Sequence, residues 1–245
     1  MPEGPSIVII KEAVQIFNGK KILEAKGNAK IDMARLSGKK VIAFKSWGKH
    51  TLISFSGFTI KIHLLMFGSY SINEQTKPDR SLRLHLKFSN GDLYFYTCSV
   101  TLIEGDLDEV YDWSADVMSD DWDAAKAIKK LKAIPATLIT DALLNQDIFA
   151  GVGNIIKNEV LFITEVHPKS IVGKIPAKKI KAIVKTARDY SFDFLKWKKA
   201  FVLRQHWLAY SKKMCPRCNI PLVKEYLGTT RRRTFFCNNC QVLYK

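Results

Sequence analysis

The chain has 245 residues, 47% of them apolar, enough to bury a core in each of two modest domains. Its net charge of +16 points to a polyanionic partner, nucleic acid first, and no apolar run approaches the ~18 residues of a membrane span. Of the 39 Lys and Arg, 20 fall from Pro135 onward, beside only 7 of the 23 Asp and Glu, so the partner's backbone is expected mainly on the C-terminal half.

The start, MPEGPSIVII, has neither the basic leader nor the long apolar core of a signal peptide. Four of the five cysteines fall in a metal-type pattern, with Cys98 left alone, and together these features read as a cytoplasmic protein in a reducing compartment. From Ser6 to Phe17, the apolar residues Ile7, Ile10, Val14 and Phe17 recur at helical spacing, with Gly19 as the stop. Short strands are predicted at 40–44, 51–55, 59–65, 70–73, 82–88 and 93–98, with Ser56-Gly57 and Asn90-Gly91 as turns between neighbours. This is a β-rich first domain, a sandwich or barrel of hairpins.

The acidic, aperiodic stretch from Asp106 to Asp123 reads as a connection, and after it the pattern turns helical at 124–134, 136–145, 152–162 and 177–195. Between two of these helices lies Gln146 to Asn154, QDIFAGVGN. Its two glycines just ahead of a helix start fit either a phosphate contact or a tight helix-turn-helix corner.

The end of the chain carries the strongest local signal: CPRC at Cys215 and Cys218, then CNNC at Cys237 and Cys240. Two such knuckles supply the four thiolates of a closed tetrahedral site, so Zn2+ is expected here in a structural role. The segment between them, Asn219 to Phe236, alternates about Gly228 as two strands and a turn, and its second arm bears Arg231, Arg232, Arg233, Phe235 and Phe236, an edge suited to phosphates and bases.

Five of these stretches, taken in order, resemble one family. MPEGP, Trp47-Gly48-Lys49, His63 to Gly68 (HLLMFG), Leu143 to Asn154 (LLNQDIFAGVGN) and the four-cysteine hairpin with RRTFFC are similar to the formamidopyrimidine-DNA glycosylase and endonuclease VIII family of DNA glycosylases with lyase activity. The resemblance covers essentially the whole chain. It implies an α+β protein: an N-terminal β-sandwich with flanking helices at 1–112, a linker and helix-two-turns-helix domain at 113–210, and a four-cysteine zinc-finger hairpin at 211–245. It implies a monomer acting in base-excision repair on duplex DNA that contains an oxidised base or abasic site.

By the same resemblance Pro2, Glu3 and Lys49 are the catalytic residues. Pro2 would be the nucleophile once Met1 is removed, Glu3 the general acid/base, and Lys49 a contact to the lesion or its phosphates. His63, Asn154 and Arg232 would hold phosphates, while Leu65, Met66 and Phe67 would fill the hole left by an extruded nucleotide. The later strand region, Tyr96 to Leu102, lacks the Arg and Phe that formamidopyrimidine-type members insert, which leans towards the endonuclease VIII branch. The family's second glutamate, three residues after Glu3, is Ser6 here. The rival expectation is therefore a damaged-DNA-binding relative that has lost turnover.

Overall fold

The computed structural model describes residues 2–245; the expected removal of Met1 lies outside them. The chain divides into two compact units, residues 1–111 and 112–245.

The first unit is the expected β-sandwich. Helix α1 (Gly4–Ala13) starts two residues earlier than periodicity suggests, because Pro5 in its first turn needs no amide partner, and it runs on as a 3-10 turn over Val14–Phe17. Eight strands follow: β1 (Glu24–Lys26), β2 (Ala43–Trp47), β3 (His50–Ser54), β4 (Phe58–His63), β5 (Ser69–Ile72), β6 (Leu82–Phe88), β7 (Gly91–Tyr96) and β8 (Ser99–Glu104). They form two antiparallel sheets, in the orders β1-β6-β7-β5 and β2-β3-β4-β8. Alternation fixes which face is buried: Leu84, Leu86 and Phe88 of β6 point into the main core while His85 and Lys87 do not, and a register irregularity between Leu82 and Leu84 places Leu82 with Tyr94 and Tyr96 in a separate cluster. Ile7, Ile10, Val14 and Phe17 pack with Ile60, Ile62, Leu84 and Phe95 in one core.

Two strands escape the sequence pattern. β1 is three residues long and half exposed, and the strand expected at 93–98 ends at Tyr96, with β8 following after only Thr97, in a left-handed conformation, and Cys98. The strand expected at 40–44 sits three residues later, at Ala43–Trp47, because its register is set by the Gly48-Lys49 turn that pairs Trp47 with His50.

The second unit contains α2 (Ala124–Lys132), α3 (Ile139–Ala142), α4 (Asn154–Ile163), α5 (Ala177–Lys199) and the hairpin β9 (Val223–Leu227) and β10 (Arg232–Phe236). Asp123 caps α2, accepting from Ala125 N–H at 2.8 Å and Lys126 N–H at 3.0 Å. The helix expected at 136–145 shrinks to the four residues of α3; the chain instead turns through residues 143–151, where Gln146 Oε1 accepts from Gly151 N–H and Gln146 Nε2 donates to Leu144 and Val152 carbonyls. Ile156, Val160, Ile183, Val184, Ala187 and Phe149 form the core. Among the described residues no helix is long and apolar enough to cross a membrane.

Candidate functional site

The residues singled out from sequence fall into two groups, one in each unit. In the first unit Glu3 is the N-cap residue of α1 and fully buried, and its side chain makes no bond to its own helix's first-turn amides. Only its carbonyl serves there, accepting from Ser6 N–H at 2.8 Å. Pro2 precedes it and is partly exposed. Helix α1 packs on β2 and β3, the arms of the hairpin whose two-residue turn is Gly48 (φ 52) and Lys49. Glycine at the first central position is what a type II′ hairpin turn demands, and it sets Lys49 at the tip.

Behind that tip His50 faces His63 across β3 and β4, with ring centroids 5.5 Å apart. His50 Nδ1 lies 3.0 Å from the Tyr111 hydroxyl, and the Tyr111 ring packs at 4.8 Å on Trp47. His63 Nδ1 accepts Leu65 N–H at 3.0 Å, so the proton of its neutral ring sits on Nε2 as a donor. Burial, then neighbouring Lys49 and Lys61, hold the His63 pKa below its ordinary value; burial, then His63, Lys61 and Lys49, push His50 down to about 4.

A group whose folded pKa is lowered this way takes up a proton on unfolding, so its contribution to stability is full above its ordinary value of 6.5 and drains away as pH falls towards 4. Roughly 3 kcal/mol is the upper size of this effect. Melting temperature measured from pH 8 to 4.5 is therefore expected to fall more steeply below pH 6.5 for the natural protein than for His50→Gln.

After His63 the chain makes a tight tip. Gly68 N–H donates to the Leu64 carbonyl at 2.8 Å, Leu65 is left-handed (φ 54), and Leu65, Met66 and Phe67 are 51%, 54% and 75% exposed. A Cβ on Gly68 would lie 2.2 Å from the Leu64 oxygen, so only glycine closes this turn. Three adjacent apolar side chains held in water by a backbone clasp are placed for contact, since folding gains nothing from exposing them.

In the second unit α4 carries a polar stripe. Asn154 Nδ2 donates to the Arg233 carbonyl at 2.8 Å, buried Lys157 Nζ to Thr234 Oγ1 at 2.8 Å, and Asn158 Oδ1 accepts Phe235 N–H at 2.7 Å. Strand β10 is thereby fastened along α4, which fixes Arg232 on the same segment as the residues that Asn154 grips. The far end of the hairpin is clipped to α3: Thr229 N–H donates to both Asp141 carboxylate oxygens, at 3.0 and 3.1 Å. Gly228 (φ 76) suits the turn beneath that clip, because its left-handed backbone favours glycine and a Cβ there would push the Asp141 carboxylate aside.

The ligand sulfur atoms of Cys215, Cys218, Cys237 and Cys240 all lie within 4.8 Å of one another, with Cys215 and Cys240 sulfurs 3.8 Å apart. A tetrahedron with metal–sulfur bonds of about 2.3 Å has edges of about 3.8 Å, so the four residues fit a metal such as zinc. The outer contacts are those of a ligand shell: Asn239 Nδ2 lies 3.2 Å from Cys218 Sγ, and Gln241 Oε1 accepts Cys237 N–H at 2.8 Å. Cys98, the fifth cysteine, is buried and its thiol is pushed up to about 12 by that burial, which makes it inert.

Several supporting residues lie outside the sequence reading: His50, Tyr111, Asp141, Lys157, Asn158 and Glu159. The last accepts three backbone N–H groups, from Leu208, Ala209 and Tyr210. A signal does exist for the α4 residues, because Asn154, Lys157 and Asn158 stand at i, i+3 and i+4 on a helix whose remaining residues, Glu159 apart, are apolar.

An eight-stranded sandwich fronted by an N-terminal helix, and a helical unit ending in a four-cysteine hairpin, define the class of fold. The family model described as the formamidopyrimidine-DNA glycosylase N-terminal domain matches residues 1–99, and the one described as the formamidopyrimidine-DNA glycosylase H2TH domain matches residues 114–191. The chain belongs to the formamidopyrimidine-DNA glycosylase/endonuclease VIII family.

It is 29% identical over 231 residues to endonuclease 8-like 3 of Xenopus laevis, covering 90% of this chain and 38% of that one. It is 28% identical over 223 residues to the formamidopyrimidine-DNA glycosylase of Carboxydothermus hydrogenoformans, covering 84% and 83%. The chain thus spans about a third to two fifths of the length of the endonuclease 8-like 3 relatives it matches. Among solved structures, Lactococcus lactis formamidopyrimidine-DNA glycosylase bound non-covalently to DNA containing an AP site superposes with a TM-score of 0.85 at 22% identity, over 98% of this chain and 99% of that one. At that identity the likeness speaks for the fold.

Proposed function

We propose that this chain is a base-excision repair enzyme, a bifunctional DNA glycosylase and AP lyase that acts as a monomer on duplex DNA carrying an oxidised base or an abasic site. The observation that carries this reading is the start of α1. A fully buried carboxylate, Glu3, sits between Pro2 and the helix without capping it, on the helix that packs against the hairpin bearing Lys49.

With Met1 removed, Pro2 offers a secondary amine whose pKa of about 8 leaves an appreciable neutral fraction near pH 7. Its nitrogen attacks C1′ of the damaged nucleoside, the bond from C1′ to the base breaks, and the base leaves with a proton delivered by Glu3. Ring opening gives an iminium at C1′, which acidifies C2′–H. Loss of that proton expels the 3′ phosphate, and a second elimination expels the 5′ phosphate. Lys49 and the Nε2–H of His63 meet phosphates near the lesion; Asn154 and Arg232 meet others; Leu65, Met66 and Phe67 occupy the gap in the stack. Zinc on Cys215, Cys218, Cys237 and Cys240, when bound, holds the hairpin rigid and takes no part in the chemistry.

The test is borohydride reduction in the presence of a duplex with one abasic site, followed by mass mapping. A covalent adduct on the peptide that begins at Pro2 is expected, with both elimination products. An adduct on a lysine, or none, overturns the mechanism. A second reading, a damaged-DNA binder without turnover, is favoured by Ser6, which is buried in the first turn of α1 where the family usually has its second glutamate. It predicts tight salt-dependent binding to the same duplex and no adduct.

A further inference from the structure

Helix α5 ends on a residue that its backbone disfavours. Phe201 N–H donates to the Lys198 carbonyl at 3.1 Å and Val202 N–H to the Trp197 carbonyl at 3.0 Å, the bond pair of a Schellman cap. That cap needs a left-handed residue, ordinarily glycine, and here it is Phe201 at φ 60. The ring recovers nothing by burial, being 96% exposed. Folding is thus opposed twice over, by the Cβ in a left-handed turn and by a bare aromatic ring in water. A residue retained against both points outward, to something it touches.

The surroundings say what. Lys196 and Arg204 are exposed and Lys198 partly so, and no Asp or Glu occurs between Asp193 and Glu225. The base of the tip is rigid: Trp197 stacks on His206 with centroids 4.1 Å apart and planes 3° from parallel, and meets Tyr190 edge-on at 5.6 Å. A flat ring that is almost fully exposed, with Lys196, Lys198 and Arg204 within five residues of it in the chain, is not seated in an apolar groove. It suits a base face, with the phosphates on either side drawn to the lysines and the arginine.

We propose that Phe201 is a stacking site for an unpaired nucleobase, whose flanking phosphates are held by Lys196, Lys198 and Arg204. None of these residues belongs to the proposed lesion chemistry, so the contact goes beyond that reading and does not need turnover. It gives the protein a grip on single-stranded nucleic acid next to, or in place of, duplex.

The experiment compares the natural protein with Phe201→Gly and Phe201→Trp, by fluorescence anisotropy at fixed salt. The probes are a blunt duplex, the same duplex with an ~8-nucleotide single-stranded extension, and polyglutamate. Phe201→Gly is expected to raise the melting temperature by about 2 °C, since glycine accepts the turn. It should weaken binding to the extended duplex by about five- to tenfold while changing the blunt duplex less than about twofold. Phe201→Trp should keep the extended-duplex affinity. A lower melting temperature in Phe201→Gly, an equal loss on both duplexes, or polyglutamate binding that is lost alike would overturn the proposal. Borohydride trapping on the blunt abasic duplex, run in parallel, reports on the lesion chemistry separately.

Discussion

Glu3→Gln is expected to slow removal of an oxidised base from duplex DNA by about 10²- to 10⁴-fold, the range that a positioned general acid supplies. The substitution keeps the volume of a fully buried side chain and leaves the α1 cap intact, because the cap uses the Glu3 carbonyl and not its carboxylate. What it removes is the transferable proton. At a preformed abasic site the base has already gone, so adduct formation through Pro2 should fall less than excision does. Measuring both rates, on a dihydrothymine duplex and on an abasic duplex, separates the roles. An equal loss in both, with a large drop in melting temperature, would mean that Glu3 holds the fold and does not move protons.

Removing metal from the four-cysteine site should release the C-terminal hairpin and lower DNA affinity at least about tenfold. Two strands alone are marginal in water. Among the described residues the small core around the knuckles offers Phe162, Ala209 and Leu222 besides the cysteines themselves. Without the cation, four sulfurs within 4.8 Å no longer have a reason to stay together, and β10 would leave its bonds to Asn154, Lys157 and Asn158. Arg231, Arg232 and Arg233 would then stop contributing, so the slope of log affinity against log salt should shrink by about 1 to 3. Zinc quantitation before chelation should give one ion per chain. Chelated protein that keeps its affinity, its salt slope and its hydrogen-exchange protection in β10 would show that the hairpin stands by itself.

Much of this is legible in the sequence because it depends on local spacing. The two Cys-x-x-Cys knuckles, the alternation about Gly228, the helical period of α5 and the alternation of β6 each lie within one stretch of chain, where residue period dictates which side chains share a face. The failures are equally physical. The strand expected at 40–44 lies instead at Ala43–Trp47 because hairpin register belongs to the turn, and Gly48-Lys49 is a weaker turn signal than an Asn-Gly pair. The helix expected at 136–145 stops at Ala142, since Gln146 and Asn145 bind the backbone of a turn more favourably than they continue a helix.

By itself the sequence supplied the candidates on which the proposed chemistry rests: the proline and glutamate at the start, the lysine of a Trp-Gly-Lys turn, the four thiols, and a cationic second half. Tertiary structure alone decided their support. His50 faces His63 only because β3 and β4 pair in one register, Asp141 reaches Thr229 across 88 positions of chain, and Phe201 is seen to be strained and bare only once the end of α5 is folded. The reason is that a period records which face a residue takes, whereas a contact between distant segments depends on how those faces pack, and no local stretch carries that information.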